Sequence, residues 1–261
     1  MRDVQLPSVA GMFYPADPTE LGQDIQALLA QSGRTRTLPK ALIAPHAGYV
    51  YSGPVAAKAY AHLRPLADRV RRVLVLAPAH RLPFRGLAVS GAARFRTPLG
   101  DVPVDRAAVA QALRFPQVRE LDAAFQGEHA LEVQLPFLQQ TLGEFSLVPF
   151  VVGDADGAEV AEVIEALWGG DETLIVVSSD LSHYLDYATA KTRDQATTQA
   201  IEALDPSRIG YHDACGRTPV QGLLLAARHH GLQAETVDLR NSGDTAGSKD
   251  RVVGYGAYLF H

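Results

Sequence analysis

A chain of 261 residues that is 47% hydrophobic has enough apolar residues for a sizeable core. Its formal net charge of −5 argues against nucleic acid or anionic membrane as a partner, since both are normally met by a basic patch. No stretch approaches the roughly 18 apolar residues that cross a bilayer, the N-terminal MRDVQLPSVAGMFYP lacks a charged-then-apolar leader pattern, and a single cysteine fits a reducing compartment, so a cytoplasmic protein is expected.

Along the chain, Thr19–Gln31 carries Leu21, Ile25, Leu28 and Leu29 at helical spacing. Ala41–Ala44 is an apolar run suited to a buried strand, and Val55–Leu63 after it is helix-like. Val73–Ala77 is a second such strand, followed by helical patterns over Asp105–Leu113 and Leu131–Leu142. Leu147–Val152 and Leu174–Val177 are further strands, separated by a helix over Ala158–Leu167. Asp186–Leu204 reads as a long polar helix. Pro219–His230 reads as another, with Thr218 as N-cap and Gly231 as the stop. Val252–Phe260 alternates and contains Gly254 and Gly256, which suggests a last strand near a sheet edge. Apolar runs alternating with amphipathic helices predict an α/β fold, with a largely parallel or mixed central sheet covered by helices. With no repeat, low-complexity segment or linker, residues 1–261 are expected to form a single domain.

Three of the expected strands deliver a histidine at or just past their carboxyl ends. Ala41–Ala44 runs into Pro45-His46, Val73–Leu76 into Ala77-Pro78-Ala79-His80, and Leu174–Val177 into Ser178-Ser179-Asp180, with His183 three residues on. In an open α/β sheet the crevice beyond those ends binds ligands. A rigid strand would hold the imidazole, Pro45 would end the ladder, and Gly48 would let the backbone turn close to whatever His46 touches. A lone histidine after a strand is more often a hydrogen-bonded loop residue than a ligand, but three such placements among nine histidines single out this edge. His62, His229, His230 and His261 have no such placement and read as structural, with His62 and the 229–230 pair near helix C-termini, where a cation is favoured.

His129 lies in GEHALEVQLPFL, where Glu128 and Glu132 would share one helix face; an acidic helix start accounts for the pair as well as a functional role does. Cys215, in YHDACGRTPV, precedes Gly216 and Arg217 just ahead of a helix. A helix N-terminus and a guanidinium both stabilise thiolate, so an acidic thiol is expected, against the commoner fate of a free cysteine as a small buried hydrophobe. Two imidazoles and a thiolate can hold zinc, copper or iron and leave a position open for water or substrate.

These segments resemble the Memo family, whose prokaryotic members are called AmmeMemoRadiSam system protein B. The resemblance rests on VAGMFYP (9–15), APHAGYVYSGPVAAKAY (44–60), APAH (77–80), GEHALEVQLPFL (127–138), SSDLSHY (178–184), HDACGRTPV (212–220) and DRVVGYGAYLF (250–260), in order along nearly the whole chain. It implies the α/β fold of class III extradiol dioxygenases, which hold Fe(II) with two histidines and a carboxylate. It makes His46 and His80 the histidine ligands and places Cys215 where those dioxygenases use the carboxylate. His183 then matches the acid/base histidine and His129 a further pocket histidine. The resemblance also implies copper or iron binding with redox chemistry, phosphopeptide binding in animal members, and AMMECR1-type and radical SAM proteins as partners. Ring cleavage does not transfer with the fold, because thiolate donates more charge than carboxylate and is itself oxidisable.

The leading expectation is a metal-dependent redox enzyme acting on a small molecule or peptide, with Fe(II) or copper favoured over zinc. His183, Asp180 and His129 would be its catalytic groups. Asp180 and His183, three apart, would form an orienting pair if their loop turned helically. A zinc hydrolase would instead use metal-bound hydroxide, with Asp180 or His183 as base. A binding module with a vestigial metal site would use Phe13, Tyr14, Tyr49, Tyr51 and Arg217 to line a pocket for a peptide or an anionic group.

Overall fold

The computed structural model describes residues 3–32 and 37–261; Met1 and Arg2 of the stretch read for a leader lie outside them. Its elements are β1 (Val4–Gln5), α1 (Pro18–Ala30), β2 (Ala41–Ala44), α2 (Tyr49–Tyr60) and β3 (Arg72–Pro78). Then come β4 (Leu87–Val89), β5 (Arg94–Thr97), β6 (Gly100–Pro103), α3 (Arg106–Ala112), β7 (Val118–Glu120) and α4 (Leu135–Leu142). The C-terminal half adds β8 (Ser146–Val152), α5 (Gly157–Ala166), β9 (Thr173–Ser178), β10 (His183–Leu185), α6 (Tyr187–Glu202), α7 (Arg217–His229), β11 (Ala234–Asn241) and β12 (Val252–Phe260). Helix starts follow capping chemistry: the Asp17, Asp105, Asp156 and Asp186 carboxylates each accept first-turn backbone N–H groups. No helix among the described residues is long and apolar enough to cross a membrane.

The four apolar runs form the parallel heart of a nine-stranded sheet, ordered β2-β9-β3-β8. Strands buried on both faces need this near-continuous apolar sequence. β12 lies antiparallel between β2 and β11, and β10 pairs with its first residues. On the far side β4 runs antiparallel to β8 and pairs with β7. The expected α/β architecture with a mixed sheet is therefore present, and β1, β5 and β6 add a small separate sheet. Ala44 stands opposite Ser178, Leu76 opposite Val177, and Pro78 opposite Val152. The parallel strands thus end together, and Pro45-His46, Ala79-His80 and Ser179-Asp180 leave the same edge of the sheet.

Several boundaries differ from the sequence expectation. Helix α2 begins at Tyr49 rather than Val55. The helix runs through Pro54, which forgoes a ladder bond, and Gly53 faces α1, where a Cβ would lie 2.9 Å from Leu28 Cδ1. Gly48 has an ordinary φ of −55° and serves as the N-cap of α2, so it supplies no special turn. The Leu131–Leu142 segment splits into a 3-10 turn, Glu132–Gln134, and α4, with Glu128 in the loop before it, so Glu128 and Glu132 share no helix face. Helix α7 starts at Arg217 with Gly216 as cap, which places Thr218 inside the first turn. β12 is an interior strand, and Gly254 serves packing: a Cβ there would lie 2.0 Å from Asp194 Oδ2.

Candidate metal centre

His46 follows β2 and is 2% exposed. Its backbone N–H donates to Asp180 Oδ1 at 2.8 Å, and its Nδ1 lies 2.8 Å from Ser178 Oγ. That hydroxyl gives its one proton to the Ala130 carbonyl at 2.6 Å and accepts from Gln134 Nε2 at 2.7 Å. The Gln134 amide is oriented in turn: Tyr60 donates to its Oε1 at 2.6 Å, and Nε2 also donates to the Pro45 carbonyl at 3.1 Å. With the serine proton committed, His46 Nδ1 must be the donor, which leaves Nε2 with its lone pair. Burial, reinforced by the neighbouring His80 and His129, keeps His46 well below the usual histidine range and therefore neutral.

His80 follows β3. Glu128 accepts from its backbone N–H at 2.6 Å and from its Nδ1 at 3.0 Å, and takes the Ala130 N–H at 3.0 Å. A carboxylate on Nδ1 again leaves Nε2 bare, the outer-shell arrangement that orients metal-binding imidazoles. Burial by itself would raise Glu128. The hydrogen bond from His80, with the backbone donors, outweighs it and holds the carboxyl at about 2.

Cys215 Sγ lies 3.4 Å from His46 Nε2, and the donor atoms of His46, His80 and Cys215 all lie within 4.8 Å of one another. Gly216 permits this approach, since a Cβ there would meet Ser179 Cβ at 2.7 Å and the Ser178 carbonyl at 2.8 Å. The expected acidic thiol is overturned. Burial pushes Cys215 up and the adjacent Asp180 carboxylate pushes it further, against the backbone donors of Asp180 and Gly216. Arg217 offers no rescue, because its guanidinium sits over the Tyr211 ring at 5.3 Å. In the metal-free protein Cys215 is expected to alkylate more slowly than free cysteine at neutral pH, since thiolate is the reacting form. Iodoacetamide labelling followed by mass spectrometry measures this, and labelling faster than free cysteine would contradict it.

His129 packs against both candidate ligand rings, with centroids 5.5 Å from His46 and 5.1 Å from His80. Burial lowers its pKa too. His183 begins β10, and its Nδ1 lies 2.8 Å from the Leu181 carbonyl. A carbonyl only accepts, so this ring also keeps Nε2 free. The expected Asp180–His183 pair is not formed. The loop from β9 to β10 is not helical, and the Asp180 carboxylate caps the His46 backbone instead. Burial raises the pKa of Asp180. Tyr184, next to His183, has a φ of 60°, a conformation that side-chain-bearing residues hold mainly where function or packing imposes it.

Two cavities flank the cluster. One, of about 730 Å³, lies on the Cys215 side with Arg193, Tyr211 and Arg217 in its wall. The other, of about 740 Å³, contains His46, His129 and Asp180 with Phe13, Tyr51 and Arg251. His80, His183 and Tyr184 line both. Of the residues expected to line one pocket, Phe13 and Tyr51 therefore face the second cavity and Arg217 the first. Tyr14 and Tyr49 line neither, and with Phe13 they border a separate cavity of about 540 Å³ beside α1. The Tyr14 hydroxyl donates to Glu132 Oε1 and the Tyr49 hydroxyl to the Val133 carbonyl, while Glu132 also accepts from the Ser8 and Val9 N–H groups. They fasten the N-terminal segment that presents Phe13. Sequence reasoning missed the roles of Ser178, Gln134 and Tyr184; a glutamine inside the apolar run LEVQLPFL was the available signal.

The fold and this edge define an α/β protein with a histidine–cysteine cluster, able to hold a metal, beyond the carboxyl ends of its parallel strands. A sequence profile of Memo-like proteins matches residues 5–259. A MEMO1 family protein of Aquifex aeolicus is 33% identical over 98% of this chain and 99% of its own. Another, of Sulfolobus acidocaldarius, is 34% identical over 97% of each chain. The chain belongs to the Memo family. An uncharacterized Escherichia coli K12 protein, JW3007, has the same fold, with a TM-score of 0.53 at 12% identity over 84% of this chain and 99% of that one.

Proposed function

We propose that the protein is a metal-dependent redox enzyme in which His46, His80 and Cys215 hold one iron or copper ion. The observation that carries this reading is the pair of imidazoles whose Nδ1 atoms are already committed, to Ser178 and Glu128, and whose remaining nitrogens converge with the cysteine. That donor set fits a transition ion: both histidines present a bare nitrogen, and metal binding converts a neutral thiol to thiolate. Imidazole and thiolate suit iron, copper or zinc, and the oxidisable thiolate favours redox chemistry by the first two.

The chain supplies proton transfer and orientation. His183 Nε2 accepts a proton from a substrate O–H or N–H, while the Leu181 carbonyl keeps the ring aligned through Nδ1. Neutral His129 seals the cluster beside the ligand rings. Phe13 and Tyr51 offer faces to the apolar part of a small molecule or peptide, and Arg193 and Arg217 attract an anionic group. Partnership with AMMECR1-type and radical SAM proteins belongs to the same proposal and rests on family membership.

Elemental analysis of protein purified anaerobically, without chelator or affinity-column metal, tests the reading. One iron or copper per chain is expected. Stoichiometric zinc would favour hydrolysis by metal-bound hydroxide, and no metal would leave a binding module.

A further inference from the structure

A second set of metal-capable side chains lies away from the central cluster. Glu165 stands in the last turn of α5, His229 in the last turn of α7, and His230 caps α7. The helices touch closely at their earlier turns, where a Cβ on Gly222 of α7 would lie 2.4 Å from Val160 Cγ1 of α5. They therefore run in the same direction and end together. At that shared end His229 Nδ1 is 2.9 Å from Glu165 Oε1, and His230 Nε2 is 2.8 Å from Glu165 Oε2. Each oxygen of one carboxylate is paired with a different imidazole.

We propose that Glu165, His229 and His230 form a second site for a divalent transition cation such as Cu(II), Ni(II) or Zn(II). Two imidazoles and a carboxylate are ligand types these ions accept. Their donor atoms lie within 4.8 Å of one another. Two ligands each about 2.1 Å from one ion and at right angles to it stand about 3.0 Å apart, close to the nitrogen–oxygen separations already present. The last-turn carbonyls of both helices add partial negative charge that favours a cation. The His230 ring is held in place: it stacks on Trp168 with centroids 3.8 Å apart and planes 3° from parallel. Lys40 fixes Trp168 in turn, donating to its carbonyl at 2.7 Å with the ammonium 5.3 Å over the indole. The His229 side chain is 73% exposed, so an ion enters directly from solvent.

Trp168 is the only tryptophan of the chain, so the site carries its own reporter. Titration of the wild-type protein with Cu(II) near neutral pH is expected to quench tryptophan emission saturably, with recovery on adding EDTA. Glu165→Gln and His229→Ala are each expected to shift the midpoint by at least about tenfold, as loss of a ligand requires. Cys215→Ser should leave the midpoint in place, which separates this site from the central one. Circular dichroism establishes that the variants, altered only at the helix ends, remain folded. The proposal is overturned if Glu165→Gln and His229→Ala retain the wild-type midpoint, or if the wild-type emission falls only linearly, as free tryptophan does.

Discussion

His46→Ala is expected to lose the central metal ion, whereas His183→Ala keeps the ion and loses turnover by roughly 10²–10⁴-fold, the usual contribution of a general acid–base group. The difference follows from where each imidazole is anchored. His46 is buried, has its Nδ1 tied to Ser178, and brings Nε2 to 3.4 Å from Cys215 Sγ. Its removal takes one donor from a set of three and opens a hole in the wall of the cluster. His183 is anchored only through the Leu181 carbonyl and stands where both cavities meet. Its removal leaves His46, His80 and Cys215 in place. Metal content of the two variants, measured side by side, separates the roles before any substrate is known, and turnover follows once one is found. A metal-free His183→Ala beside a metal-loaded His46→Ala would reverse the assignment and require the centre to be rebuilt around His183.

How far the site was readable from sequence depends on how local each cause is. The four parallel strands were readable because burial on both faces demands uninterrupted apolar runs, and Ala41–Ala44 appears with its expected bounds. Strands β4 and β7 have three residues each, too short for any period to show. β11 was missed because ETVDLR mixes polar and apolar residues along a strand that is only partly buried. The gathering of His46 and His80 at one sheet edge was readable, since strand direction alone decides which end a following residue occupies. The acidity of Cys215 was misjudged because its chain neighbours, Gly216 and Arg217, argue for thiolate, while the decisive influences are burial and the Asp180 carboxylate, 35 positions away in sequence. Glu128 posed the reverse problem: it was assigned to a helix face, and only the fold brings His80, 48 positions away, onto its carboxylate.

Gln134→Leu is expected to destabilise the protein by on the order of 3–5 kcal/mol and to weaken central metal binding by about 10–100-fold. The side chain is fully buried and every polar atom of its amide is used. Leucine fills a similar volume but orphans the Tyr60 hydroxyl, the Pro45 carbonyl and one acceptor position of Ser178 Oγ. A buried polar group left without its partner costs about 1–3 kcal/mol, and Tyr60 is itself fully buried. The metal effect arises one bond further on. Ser178 is the group that holds His46 Nδ1, and the Gln134 amide holds both Ser178 and the carbonyl of the residue preceding His46. Loosening it lets the ring rotate and Nε2 drift from the position that faces Cys215. Gln140→Leu, in the α4 helix that follows, is the control, because the Gln140 side chain makes an exposed hydrogen bond with Gln26; surface changes of that kind stay within about 0.5 kcal/mol. Urea unfolding and metal retention against a chelator are the two measurements. A Gln134→Leu protein that unfolds at the wild-type urea concentration, or that retains its ion as the Gln140→Leu control does, would show that the buried amide neither supports the fold nor aims His46.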